Sequence, residues 1–210
     1  MKAALISGSP KAKGSNSEYL LAELKKLITN DYEIESFNVN QCLHSQEALE
    51  SIYGCDVLVV AFPVYVDGIP SHMLHFLKKI EVFFQSKKKK TIAVYAVVNC
   101  GFYEGEQTGL SLQMIETWCK KAELVWGQGV GVGAGEMLGS LQSVPIGHGP
   151  KKNLGRALEA LAKNILNRTS GGNLFISPNF PRFAFKLCAH IMWKSQAKAN
   201  GLTKKDLLKQ

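Results

Sequence analysis

The spacing of apolar residues changes period repeatedly along the chain. Ala3–Ser7 (AALIS) is an apolar run that stops at Gly8-Ser9-Pro10. Apolar residues then recur at helical spacing, at Tyr19, Leu20, Leu24, Leu27 and Ile28. Tyr32–Val39 reads as a second strand with Ile34 and Phe37 facing inward, and Gln46–Tyr53 as a weaker helix. Val57–Phe62 (VLVVAF) is a continuous apolar run ended by Pro63, the pattern of a central strand buried on both faces. A helix is expected from about Ser71 to Phe84, a second central strand over Thr91–Val98, and a helix from about Thr108 to Ala122. Leu124–Val132 reads as a glycine-rich fifth strand and Lys152–Leu166 as a further helix.

Strands alternating with helices imply an α/β fold, a doubly wound five-stranded parallel sheet. Right-handed crossovers narrow the topology, and ligands of such sheets bind outside the carboxyl ends of the strands. The expected organisation is a sheet domain over residues 1–170 and a helical extension over 171–210. The loops after strands one, three and four are therefore where chemistry is sought.

The first is Gly8-Ser9-Pro10-Lys11-Ala12-Lys13-Gly14-Ser15-Asn16-Ser17. Small residues let backbone N–H groups approach an anion, and the following helix N-terminus adds partial positive charge. Lacking the G-K-[ST] ending of a P-loop, it argues against a magnesium-dependent NTPase. A plain turn with a Ser or Asn cap is the simpler alternative. The second loop, Pro63-Val64-Tyr65-Val66-Asp67-Gly68-Ile69-Pro70-Ser71, is stiffened by two prolines and carries an aromatic that could stack on a flat ring. The third, Asn99 to Gln107, has Gly101 and Gly105 for close backbone approach and amides at both ends.

The pattern G-S-P-(x)n-S-N-S after strand one, with P-V-Y-V-D-G-I-P-S-H after strand three, resembles the flavodoxin-like NAD(P)H-dependent FMN reductases over about residues 1–170. The resemblance implies a flavodoxin-like fold, bound FMN, and NADH or NADPH as co-substrate. It places Ser9, Lys11, Ser15, Asn16 and Ser17 at the FMN phosphate. Pro63, Val64, Tyr65 and Val66 would lie along the isoalloxazine ring, with Asn99, Gly101 and Phe102 on its other side. The implied reaction is hydride transfer to FMN and onward to a small-molecule acceptor such as a quinone, a flavin or a nitro compound. Tyr65, Tyr103 and Glu104 are candidates for shaping the substrate side, and a homodimer is expected. The rivals are a one-electron carrier of the flavodoxin type and a response-regulator-like module. The second needs clustered carboxylates where this chain has Ser7-Gly8-Ser9. Cys42 and Cys55 alone cannot hold an iron–sulfur cluster, which needs about four thiolates.

Three further features point away from function. Gly129-Val130-Gly131-Val132-Gly133-Ala134 fits a loose dinucleotide fingerprint but lies within a strand rather than opening a helix. His72 and His75 share a helix face with no third metal ligand in view. Lys87–Lys90 reads as a solvated run.

Five scattered cysteines suggest free thiols in a reducing cytoplasm, and neither a signal peptide nor a transmembrane segment is expected. Charge is uneven. Residues 1–150 carry 13 Lys/Arg against 15 Asp/Glu, whereas residues 151–210 carry 12 against Glu159 and Asp206. Nucleic acid is not the expected partner. Between Pro181 and Asn200-Gly201 a helix is expected with Arg182, Lys186, His190, Lys194 and Lys198 in one basic stripe. It could dock on a core, cover the ligand, or touch an anionic membrane surface.

Overall fold

The computed structural model describes residues 1–11, 13–203 and 206. The chain divides into two compact units, Met1–Pro178 and Asn179–Gln210.

The first unit is a parallel sheet in the order β2-β1-β3-β4-β5-β6. Its strands are β1 (Lys2–Ser7), β2 (Glu33–Asn38), β3 (Val57–Pro63), β4 (Ala93–Asn99), β5 (Val125–Val132) and β6 (Leu174–Ile176). The helices of this unit are α1 (Asn16–Ile28), α2 (Val39–Cys42), α3 (Gln46–Gly54), α4 (Ser71–Gln85), α5 (Gly109–Lys121), α6 (Gly135–Ser140) and α7 (Lys152–Asn167). The second unit holds α8 (Arg182–Ala199).

The hydrophobic pattern explains the layering. β4 is buried throughout and β3 up to its final proline, so both faces must be covered. Leu20, Leu24 and Ile28 of α1 and Leu158, Leu161 and Ile165 of α7 cover one face. Ile52 of α3, Met73, Phe76 and Ile80 of α4 and Leu112 and Ile115 of α5 cover the other. The chain leaves β1 for the first layer and β3 for the second. The strand order thus reverses between these neighbours, opening a crevice at their carboxyl ends.

The sheet has six strands, where five were expected. The sixth, β6, pairs in parallel with β5, Val130 to Leu174 and Val132 to Ile176. Three residues are too few to show a period, and this strand lies in the stretch assigned to the helical extension. Asn173 and Gly172 prepare its approach: the Gly129 N–H donates to Asn173 Oδ1 at 2.8 Å, and Gln128 Nε2 donates to the Gly172 carbonyl at 2.7 Å.

The glycines of β5 also find their reason here. A Cβ on Gly127 would run into the Tyr95 ring, one on Gly129 into Leu112, and one on Gly131 into Thr108 and Phe175. They are places of close packing within a strand, not a phosphate turn. The lysine run is more than a solvated patch: Lys87 pairs with Glu50, Lys89 with Glu123 and Lys90 with Asp56.

Candidate functional site

Register brings the three loops to one edge. Ser7 of β1 aligns with Ala61, and Pro63 of β3 with Asn99 of β4. The Val64 N–H donates to the Asn99 carbonyl at 2.8 Å, and the Gly8 N–H to the Ala61 carbonyl at 2.8 Å.

Close packing and capping shape the first loop. A Cβ on Gly8 would sit 2.6 Å from Met73 Sδ and 3.2 Å from Phe62 Cβ, so a side chain there would have to displace the buried Met73. Gly14, at φ +68°, turns the chain into Ser15. Ser15 caps α1 in a reciprocal box: its Oγ accepts from the Glu18 N–H at 3.1 Å, and Glu18 Oε2 accepts from the Ser15 N–H at 3.1 Å. The Ser15 hydroxyl proton is left to donate elsewhere. The backbone N–H groups of Asn16 and Ser17, at the open end of α1, meet no acceptor among the described residues.

The second loop turns sharply. Tyr65 and Gly68 exchange backbone hydrogen bonds of 3.1 Å, with Val66 at φ +47° and Asp67 at φ +61° between them. Tyr65 is half exposed and Val66 fully exposed.

Asn99 and its neighbours tie the loops together. Ser17 Oγ donates to Asn99 Oδ1 at 3.3 Å, both residues being buried. Asn16 Nδ2 donates to the Gly135 carbonyl at 2.8 Å, and the Gly135 N–H donates to the Cys100 carbonyl at 2.7 Å. Burial pushes the Cys100 thiol above its ordinary pKa, so it stays protonated at neutral pH and is no poised nucleophile.

The loops enclose a cleft of about 340 Å³. Ser9, Lys11, Ser15, Asn16, Ser17, Pro63, Val64, Tyr65, Val66, Asn99 and Gly101 all line it. Of the twelve residues that the resemblance assigns to FMN, Phe102 alone does not, and neither do the substrate-side candidates Tyr103 and Glu104. The Tyr103 hydroxyl instead donates to the Pro178 carbonyl at 3.4 Å. Cys100 and Glu136 were missed. Glu136 opens α6, and its carboxylate lies 3.8 Å from where a Cβ on Gly101 would stand. No local signal marks it, because it comes from a short helix after β5, on a fourth strand end. A larger cleft of about 690 Å³ between segment 43–49 and α4 holds none of those twelve residues, though His75 lines it.

The donor set suits a phosphorylated aromatic ligand. Two unpaired helix N–H groups, the Ser15 hydroxyl and the exposed Lys11 could meet a dianion. The Pro63–Val66 segment and the side-chain-free Gly101 line the same cleft. The profile of the NADPH-dependent FMN reductases matches residues 1–115. The chain belongs to that family.

Membership makes it a flavin oxidoreductase. Solved structures share its fold. An NADH:FMN oxidoreductase in its apo form is 15% identical with a TM-score of 0.61, over 81% of this chain and 90% of its own. A short-chain flavodoxin associated with a PDU bacterial microcompartment is 17% identical with a TM-score of 0.57, over 81% and 100%. An NADPH-quinone reductase from P. pentosaceus is 14% identical with a TM-score of 0.52, over 79% and 98%. No curated protein matches the reductase in sequence. Among the described residues no group of His, Cys, Asp and Glu could hold a metal ion, and no helix is long and apolar enough to cross a membrane.

Proposed function

We propose that the chain binds FMN in the cleft at the ends of β1, β3 and β4 and oxidises NADPH or NADH there. Bound in this place, FMN would supply two-electron chemistry, taking a hydride from the nicotinamide and delivering it to a small-molecule acceptor such as a quinone, a free flavin or a nitro compound. The observation that carries the reading is the convergence of eleven sequence-derived residues on one cleft beside the open N-terminus of α1.

The residues divide the work. The Asn16 and Ser17 N–H groups, the Ser9 and Ser15 hydroxyls and Lys11 hold the phosphate. Val64, Tyr65 and Val66 lie along the ring, facing Asn99 and Gly101. Ser17 and Asn16 also fix the cleft through their side-chain bonds to Asn99 and Gly135. The homodimer and a reducing, cytoplasmic setting are part of the same proposal; all five cysteines are free thiols.

Lys11→Ala separates the phosphate from the ring. Lys11 is exposed and its ammonium has no partner among the described residues, so the fold should be untouched. Hydrogen bonds to charged groups contribute about 1.5–3 kcal/mol, so FMN should bind roughly tenfold or more weakly, with riboflavin unchanged. Equal losses for both ligands would place the phosphate elsewhere. Anaerobic NADPH or NADH should bleach the bound flavin without a populated semiquinone; a stable semiquinone with no nicotinamide oxidation would favour the one-electron carrier.

A further inference from the structure

The Asn179–Gln210 unit is unlike the sheet unit in charge and in burial. It carries seven Lys/Arg against Asp206, a net of +6, whereas residues 1–178 carry 18 against 16. None of the eighteen residues of α8 is buried. Phe183 is 76% exposed, Leu187 and Ile191 60% each, and Trp193 56%. Such a set of large apolar side chains in water calls for a partner.

The arrangement says what kind. Phe183, Leu187 and Ile191 follow one another at four-residue spacing, and so do Arg182, Lys186, His190, Lys194 and Lys198, one residue away. The two rows therefore run side by side along the exposed arc instead of on opposite faces. A helix packing on a protein core buries its apolar row and turns its lysines away from it. Here a single surface must accept aliphatic groups and cations together. The boundary between phospholipid headgroups and acyl chains does this: apolar side chains dip below it, lysine stems extend along it with their ammonium groups at the phosphates, and tryptophan favours its depth.

We propose that α8 is a peripheral docking helix whose partner is an anionic phospholipid surface. The helix, about 27 Å long at 1.5 Å per residue, lies in the interface and does not cross it. Charge complementarity favours this occupant. A second copy would set +6 against +6, and the rest of the chain, at +2, offers no opposing field. A nucleic acid backbone would meet the cations but give the Leu187 and Ile191 row nothing apolar to enter. The inference does not depend on the flavin reading, since it rests on the charge and exposure of α8 alone.

The test uses the full chain with vesicles of equimolar phosphatidylglycerol and phosphatidylcholine, against vesicles of phosphatidylcholine alone. Co-sedimentation is expected only with the anionic vesicles, and should fall about tenfold or more when salt shortens the screening length to a few ångströms. Lys186→Glu with Lys194→Glu should abolish binding. Leu187→Ser with Ile191→Ser keeps the charge and should still weaken binding about tenfold, marking insertion rather than adsorption. Trp193 emission should shift to the blue on vesicles, and flavin affinity should stay unchanged in both double variants. Equal binding to the two vesicle types, or binding indifferent to the charge reversal, would overturn the proposal. So would a wild-type chain that ignores vesicles at low salt while self-associating, or holding DNA, through α8.

Discussion

At the residue scale the least relaxed part of the cleft is the Val66-Asp67 turn. A two-residue connection with both residues at positive φ favours Asn-Gly, and a β-branched residue there is strained by about 1–3 kcal/mol. Val66 gains no packing in return, since its side chain is fully exposed. Replacing Val66 by Asn and Asp67 by Gly should raise stability by about 1 kcal/mol, read as a higher urea midpoint at constant m. A lower midpoint would mean that contacts outside the turn impose its shape. The same scale shows how far the sequence could be read. The loop composition and its place after the first strand were enough to single out Ser15, Asn16 and Ser17, which line the cleft. That Ser17 bonds Asn99, 82 residues on, and that Asn16 bonds the Gly135 carbonyl, 119 residues on, was not legible. Local pattern carries no information about which distant strand end will stand opposite. Glu136 escaped for that reason too: a single carboxylate in a short helix acquires meaning only once β5 is paired beside β4.

At the element scale, long periodic segments were legible and short ones were not. The continuous apolar runs of β3 and β4 can only be central strands, and α4 begins at Ser71, as its apolar spacing requires. β6, α2 and α6 hold three, four and six residues, too few for a strand or helix period to repeat twice. Tertiary pairing makes them, not propensity. β6 in particular depends on β5 being bare. Gly131 leaves room for Thr108, Phe175 and the Gly105 carbonyl, so a methyl group there must push all three. Gly131→Ala should cost about 1–3 kcal/mol by overpacking, whereas Gly172→Ala, with nothing within 4 Å of the added carbon, should be nearly neutral. Urea unfolding of the two variants reads the contrast directly. Equal effects would show that β6 does not hold the edge of β5 in solution.

At the scale of the whole molecule, four of the exposed apolar residues of the sheet unit share one layer. Leu74 and Val82 of α4 are 40% and 60% exposed, and Leu110 and Met114 of α5 are 58% and 37%. The two helices are neighbours, joined by the Trp118 Nε1 bond to the Leu77 carbonyl at 3.0 Å. Leu74 and Val82 are eight residues apart and Leu110 and Met114 four, so each pair lies along one side of its helix. A self-complementary patch of this kind suits a twofold interface, in which each row meets its own copy across the axis. The expected homodimer would use this layer and not the basic α8, where like charges would oppose pairing. Gel filtration with light scattering should give about twice 23.1 kDa for the intact chain. Val82→Glu with Leu110→Glu should bring the mass down to that of one chain at micromolar concentration, because two carboxylates buried without partners cost more than the apolar contact they replace. Removing residues 179–210 should leave the dimer intact. A monomeric wild type would remove the interface altogether, and a dimer lost only with residues 179–210 would move it to the C-terminal unit.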